Sequence, residues 1–285
     1  MKINSTAPDK HKFSQILINI DPKVEKFYYI GALPEKRMPT VAIVGTRKPT
    51  AYGKETAYRL SNELAAQGII IISGLALGID GIAHQAALDA GGTTLAVMGG
   101  GLNQIYPRRH QQLAEHIVKQ GGALISEYPN SMPPLMHQFL ERNRIISGLS
   151  DVVIIIEAAA RSGTLATARW GLEQGKTIMA VPGNITSPLS AGCNQLIKAG
   201  AHTITSAKDV LDALNLSAGH AQQPLLFASS PEEQVILDAL QAGERDGELL
   251  HQKSGLDAAT FQQTLTMLEI TGKIRPLGAN QWTVG

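Results

Sequence analysis

The stretch "TVAIVGTRKPTAYGKETAYRLSNELAAQGIIIISG", Thr40 to Gly74, decides the fold. Its two ends, Val41–Val44 and Ile69–Ile72, are apolar on successive residues rather than on alternate ones. Strands of that kind are buried on both faces, as in a parallel sheet covered by helices. Between them "KETAYRLSNELAAQG" has helical periodicity and stops at Gly68, the residue type that most readily takes a left-handed helix stop. Strand, turn, helix, strand is one βαβ unit.

The turn inside this unit, "GTRKPTAYGKET", resembles a phosphate-binding loop but departs from both standard forms. A nucleotide-hydrolysing loop, G-x-x-x-x-G-K-[ST], places a hydroxyl after its lysine to ligate magnesium. Here seven residues separate Gly45 from Gly53, and Glu55 follows Lys54. The dinucleotide pattern G-x-G-x-x-G fails as well, since Arg47 stands where its second glycine belongs.

Further along, "TTLAVMG", "ALISE", "DVVIIIEA", "TIMAVPG" and "HTIT" repeat the strand pattern, and segments such as "DGIAHQAALDAGG" repeat the helical one. We read a Rossmann-like, doubly wound, mainly parallel α/β domain over residues 38–215, preceded by a short N-terminal extension, residues 1–37. A tether, residues 216–230, contains no Lys, Arg, Asp or Glu, and a small domain, residues 231–285, follows. That last domain reads as helix, short helix, turn, helix and terminal hairpin, which is a winged helix. Its expected caps are Ser230 and Asp257, and its stops Gly243, Gly255 and Gly272.

Charge is distributed unevenly. Residues 1–230 hold 21 Lys and Arg against 16 Asp and Glu, a net of +5, whereas residues 231–285 hold 4 against 8, a net of −4. The two parts are expected to meet different partners. The third helix of the winged domain ends near Glu269 and Lys273, too little positive charge to displace counterions from a duplex, so a protein-contact role is expected there. The single cysteine, Cys193, rules out an internal disulfide and speaks against a thiolate metal site. His110, His116, His137 and His202 show no metal spacing, and nothing calls for a metal or a cofactor. No apolar run follows "MKINSTAPDKHK" and none reaches membrane-spanning length, so the expected location is the cytoplasm, with no membrane partner.

In a doubly wound fold, ligands sit beyond the carboxyl ends of the strands. Five glycine- or proline-bearing turns converge there: "GTRKPTAYG", "SGLALGID", "GGGLNQIYP", "EYPNSMPPLMHQFLERNR" and "EAAARSGTLAT". They bring Arg47 and Lys48, Arg142 and Arg144, and Arg161, with few carboxylates able to act as bases. Backbone amides and guanidinium forks both bind phosphate, so such an edge suits an extended polyanion.

The order "AIVGTRKPTAYG", "SGLALGIDGIAH", "TLAVMGGGLNQIYP", "SEYP", "FLERNRIISGLS", "EAAARSGTLATARWGLEQGK" and "AVPGNITSPLSAGCNQLIKAGA" resembles the DprA (Smf) family of DNA-processing proteins over Phe13 to Leu214. The resemblance implies a Rossmann-like domain that binds single-stranded DNA, dimerises, protects incoming DNA and loads RecA during natural transformation. Gly45 and Gly74, in two of the converging turns, are candidate DNA contacts. Two departures stand out: Leu140 replaces the proline usual in the family's F-P-x-R-N-R segment, and the region before Thr40 is too short for the family's optional N-terminal helical domain.

Each candidate residue has a plainer reading beside the functional one. Thr46, Arg47 and Lys48 follow a strand end, where Arg47 forks onto a phosphate or is an ordinary surface arginine. Phe139 stacks on a base or belongs to the core. Arg142 and Arg144, two apart at an expected helix start, cannot share a face; one binds phosphate while the other pairs with Glu157 or Glu127. Asn143 contacts DNA or caps a helix. Ser162, Gly163 and Thr164 open a helix after a buried strand, an anion site that is compatible with a simple N-cap. Asp80 and His84 read as a helix N-terminal carboxylate and a packed histidine rather than a base and its orienter.

Related LOG nucleotide phosphoribohydrolases carry P-G-G-x-G-T-x-x-E at this helix start. Thr167 occupies the position of their glutamate, and a threonine cannot do that carboxylate's work. The sequence therefore favours a non-enzymatic binding protein over a nucleotide hydrolase. Assembly as a homodimer is expected through the end of the α/β domain, where Leu196, Ile197, Ile204, Val210, Leu211 and Leu214 look more numerous than one edge helix needs.

Overall fold

The computed structural model describes residues 2–216, 230–271, 273–278 and 280–284. The chain divides into two compact units, Met1–Ala218 and Gly219–Gly285. The first begins with two strands, β1 (Asn4–Thr6) and β2 (Phe27–Gly31). It then alternates β3 (Thr40–Val44), α1 (Ala51–Ala66), β4 (Ile70–Ser73), α2 (Ile79–Asp89) and β5 (Thr94–Val97). There follow α3 (Gln111–Lys119), β6 (Ala123–Ser126), α4 (Met136–Leu149), β7 (Val152–Ile155), α5 (Thr164–Glu173) and β8 (Thr177–Ala180). It closes with α6 (Ala191–Lys198), β9 (His202–Thr203) and α7 (Ala207–Ala213).

The strands form one sheet in the order β1-β2-β6-β5-β4-β3-β7-β8-β9. Strands β3 to β9 are mutually parallel, and the register Val44↔Ile155 joins β3 to β7. Every residue of β3, β4, β5, β6 and β7 is buried, as unbroken apolar runs require. Alternation sends Val41 and Ile43 into a core shared with Leu60 and Leu64 of α1, while Ala42 and Val44 join Ile145 and Ile146 of α4 on the opposite face. Helices thus cover both faces. The first two helices are followed by left-handed glycines, Gly68 (φ 77°) and Gly91 (φ 70°). Among the described residues no helix is long and apolar enough to cross a membrane.

Two expectations need correction. Residues 1–37 are not an appendage: β2 pairs antiparallel with β6, β1 pairs with β2, and Phe13, Leu17, Ile20, Val24 and Phe27 enter the core beside Ile145 and Leu149. A three-residue polar strand and short 3-10 turns carry no periodicity for a sequence reading to find. The apolar surplus expected at the end of the unit also lies largely within it. Ile204 and Val210 are fully buried, Leu196 and Ile197 pack on one core, and Leu211 and Leu214 pack on the other. Helices α6 and α7 lie on opposite faces of the same sheet edge, so both need an apolar side.

The second unit holds α8 (Pro231–Gln241), α9 (Gly247–Ser254), α10 (Ala258–Ile270) and the antiparallel hairpin β10 (Ile274–Gly278) and β11 (Gln281–Val284), a winged helix. Its core includes Ile236, Leu237, Leu240, Leu250, Phe261, Leu265 and Leu268. Ser230 accepts from Glu233 N, and Asp257 accepts from Ala259 N and Thr260 N; Asp246 does the same for α9. Of the expected tether, residues 217–229 lie outside the described residues, as does the expected stop at Gly272.

Candidate nucleic-acid interface

The strand order reverses between β3 and β7, and the loops leaving these two strands diverge to leave a crevice. A cavity of about 600 Å³ lies there. Its walls come from the β3–α1 loop (Gly45, Thr46, Arg47, Lys48), from α4 (Phe139, Leu140, Arg142, Asn143, Ile146) and from the start of α5 (Arg161, Ser162, Gly163, Thr164, Thr167). Ten of the twelve candidate residues therefore face one space. The other two do not: Gly74 lies behind the wall, and Arg144 points away.

Helix α4 decides the separation of the arginines. It runs from Met136 to Leu149, so Arg142 and Arg144 sit in its middle rather than at its start, roughly 200° apart around the axis. Arg144 is buried and its Nη2 donates to both carboxylate oxygens of Glu127, at 2.6 and 2.8 Å, while its Nε donates to Pro22 O at 3.0 Å. Arg142 is also buried, but at the back of the cleft. Its Nη1 donates to Gly74 O at 2.9 Å and to Val97 O, tying together the carboxyl ends of β4 and β5. A Cβ at Gly74 would lie 2.5 Å from Arg142 Nη2 and 2.8 Å from Asp80 Oδ2, so glycine is required for the arginine to lie there.

Asp80, in the first turn of α2, accepts from Gly74 N at 3.1 Å and lines the cleft. Burial raises its carboxyl above the ordinary range, against the opposing pull of the Arg142 charge. Burial likewise pushes the Arg142 guanidinium down to about 10, although Asp80 acts to raise it. Desolvation is the largest cause for both groups. Among the described residues, no hydrogen bond joins His84 to Asp80: His84 Nδ1 donates to Thr94 Oγ1 at 2.7 Å, the threonine hydroxyl being committed to Ile71 O, and its Nε2 has no partner there.

Phe139 is the aromatic centre of the cleft. The Arg47 guanidinium lies 5.8 Å from its ring and that of Arg142 6.0 Å, while Tyr106 packs against it with ring centroids 5.6 Å apart. Tyr106 is a residue that sequence reasoning missed, although a tyrosine in a loop at the ligand edge of the sheet was a usable signal. Leu140, in place of the family's proline, is half-exposed on the rim.

At the start of α5, Thr164 Oγ1 donates to Gly45 O at 3.0 Å and Ser162 Oγ accepts from Thr164 N at 3.2 Å, which fixes the two glycine turns against each other. Thr167 is buried in the cleft wall, where the hydrolases' glutamate would stand. On the far side of the Arg47–Lys48 ridge a second groove of about 750 Å³ is lined by Lys54, Arg109, His110 and His116 as well as by that ridge. Among the described residues, its walls contain no carboxylate. Cys193 is buried, and desolvation pushes its thiol up to about 11, an inert group.

A doubly wound parallel sheet with a basic, aromatic-bearing cleft at its switch point, joined to a winged helix, defines a Rossmann-like class of protein. Within it, the family model described as DNA recombination-mediator protein A matches residues 4–215, and the DprA winged helix domain matches residues 220–280. The chain belongs to the DprA family of DNA-processing proteins. It is 51% identical to Protein Smf of Escherichia coli over 174 residues, covering 61% of this chain and 46% of that one. With DNA processing protein DprA of Bacillus subtilis it is 47% identical over 174 residues, or 61% and 58% of the two chains. The chain thus spans about half the length of the curated relatives it matches.

Among solved structures it resembles DprA of Streptococcus pneumoniae, with a TM-score of 0.69, 38% identity and 74% of each chain covered. It also resembles DNA processing protein A of Helicobacter pylori, with a TM-score of 0.66 and 31% identity, covering 75% of this chain and 96% of that one. That second structure was described for its mode of binding single-stranded DNA.

Proposed function

We propose that this protein binds single-stranded DNA in the switch-point cleft, protects it, and loads RecA recombinase onto it during transformation and recombination in the cytoplasm. One observation carries the reading: Arg47, Lys48, Arg142 and Arg161 converge on a crevice whose centre is the Phe139 ring. Cations neutralise phosphates while an aromatic face accepts any base, the combination that sequence-tolerant single-strand binding needs. The Helicobacter pylori relative, described with single-stranded DNA, supports it.

The role is non-catalytic. Support comes from Thr167, which supplies no general base, and from Asp80, the one carboxylate on the cleft wall among the described residues, whose oxygen already accepts from Gly74 N. Gly45, Thr46, Asn143, Ser162, Gly163 and Thr164 are assigned to backbone and polar contacts with the strand, and Gly74 to clearing space for Arg142. Arg144 is reassigned to holding α4 against Glu127. The protein acts as a homodimer through the end of the first unit, where β9, exposed at both of its residues, ends the sheet.

A titration of single-stranded against duplex oligonucleotide over a range of salt tests the binding. Preference for the single strand with a steep salt dependence is expected, and equal affinity for both would overturn it. Stimulation of RecA strand exchange on coated DNA, absence of turnover with nucleoside monophosphates, and a dimer mass by light scattering test the remainder.

A further inference from the structure

The β3–α1 loop has the position of a phosphate-binding loop, yet an anion already sits at its helix. Glu157 lies two residues beyond the end of β7, the parallel neighbour of β3, and is 2% exposed. Its carboxylate accepts from Thr50 N at 3.0 Å and from Thr50 Oγ1, at the N-cap of α1. Its backbone oxygen accepts from Thr46 N at 2.8 Å. One residue therefore holds both ends of the segment 46–50, which presents Arg47 and Lys48 at its exposed tip.

The space around this carboxylate is shaped for it. Gly53 lies in the first turn of α1, and a Cβ there would come within 2.2 Å of Glu157 Oε2. Gly53 N is already bonded to Thr50 Oγ1 at 3.1 Å, and Lys54 N to Thr50 O at 3.0 Å. In nucleotide-binding members of this fold class, the amides at such a helix start receive a phosphate. Here a phosphate entering the same place would meet a fixed carboxylate at hydrogen-bond distance, a like-charge contact in a buried setting.

We propose that Glu157 is a positioning and specificity residue: an internal anion that closes the α1 phosphate loop, excludes free phosphate monoesters such as mononucleotides, and fixes Arg47 and Lys48 outward for the phosphodiester backbone of a strand. The DNA part of this inference rests on the proposed function; the exclusion of monoesters does not. The closed loop explains why the segment fails both nucleotide patterns yet keeps a glycine at 53. That glycine serves the carboxylate, and no ligand need approach it.

The test compares the full chain with Glu157→Ala, Glu157→Gln and Gly53→Ala, each checked for native helix content. Binding of a thymine oligonucleotide is read by fluorescence anisotropy, and binding of inorganic phosphate by calorimetry. Glu157→Ala leaves Thr50 N unpaired and the loop unpinned, so oligonucleotide affinity should fall by about tenfold, while millimolar phosphate binding appears that the parent lacks. Glu157→Gln keeps the volume and an acceptor for Thr50 N but removes the charge, so it should keep oligonucleotide affinity within about threefold while gaining phosphate binding, weaker than that of Glu157→Ala. Gly53→Ala favours the helix intrinsically but displaces the carboxylate, so it should weaken oligonucleotide binding without loss of helix content.

Oligonucleotide affinity unchanged in both Glu157→Ala and Gly53→Ala, or phosphate bound equally by the parent and Glu157→Ala, would overturn the inference. Should Glu157→Ala not fold, Gly53→Ala and Glu157→Gln decide the matter. Should the parent itself bind no oligonucleotide, the DNA reading falls, and the phosphate arm alone still decides whether Glu157 closes the loop.

Discussion

Salt dependence offers the sharpest check on the proposed cleft, because the structure shows which cations line it. Arg47, Lys48, Arg142 and Arg161 line the crevice, and none of them forms a salt bridge among the described residues. Arg144 is excluded by its ion pair with Glu127. On single strands the slope of log K against log salt is about −0.7 per phosphate neutralised, so four engaged cations give about −3, or roughly a 50-fold loss of affinity from about 50 to about 200 mM salt. Replacing Arg47 by alanine should reduce the slope by about 0.7 and lower affinity by about tenfold, since the side chain also covers Phe139. Anisotropy titrations of a short thymine oligonucleotide at several salt concentrations give both numbers. A parent slope near zero, or an Arg47→Ala slope equal to the parent's, would refute the assignment of phosphate contacts to this cleft.

Other expectations follow from the same geometry. Arg144→Met strands Glu127 and should cost about 3 kcal/mol in denaturant unfolding while leaving the salt slope intact; a flattened slope would return Arg144 to the interface. His84 is held to about 3 by burial and by the charges of His110 and Arg142, below the 6.5 of an ordinary histidine. Its folded-state value is thus depressed, so its contribution is present above about pH 6.5 and is lost by up to about 1.4 kcal/mol per pH unit as pH falls toward 3. Glutamine at 84 should flatten the unfolding free energy over that window, and an unchanged profile would remove His84 as the cause. A chain ending at residue 218 keeps the whole first unit and discards a part of net charge −4, so it should bind oligonucleotide within about threefold of the full chain; a folded but inactive truncation would place the site elsewhere.

The sequence by itself determined the doubly wound sheet, because burial on both faces of a parallel strand demands unbroken apolar runs such as "VAIV" and "VVIII", and that demand is local. It also determined that basic and glycine-bearing turns meet at one edge, since every βα turn of such a sheet emerges there. What it could not determine was which cation serves the cleft. Arg142 and Arg144 differ by two positions on one helix, and only the packing of α4 on the sheet turns the first toward the crevice and the second toward Glu127, a partner 17 residues away in sequence. The N-terminal strands were hidden for a related reason. The place of β2 comes from pairing with β6, across nearly a hundred residues, and that of β1 from pairing with β2 in turn, not from any period of their own. Glu157 at the start of α1 and Tyr106 against Phe139 belong to the same group. Their contacts join segments distant along the chain, and the free energy of such contacts exists only once the sheet has brought those segments together.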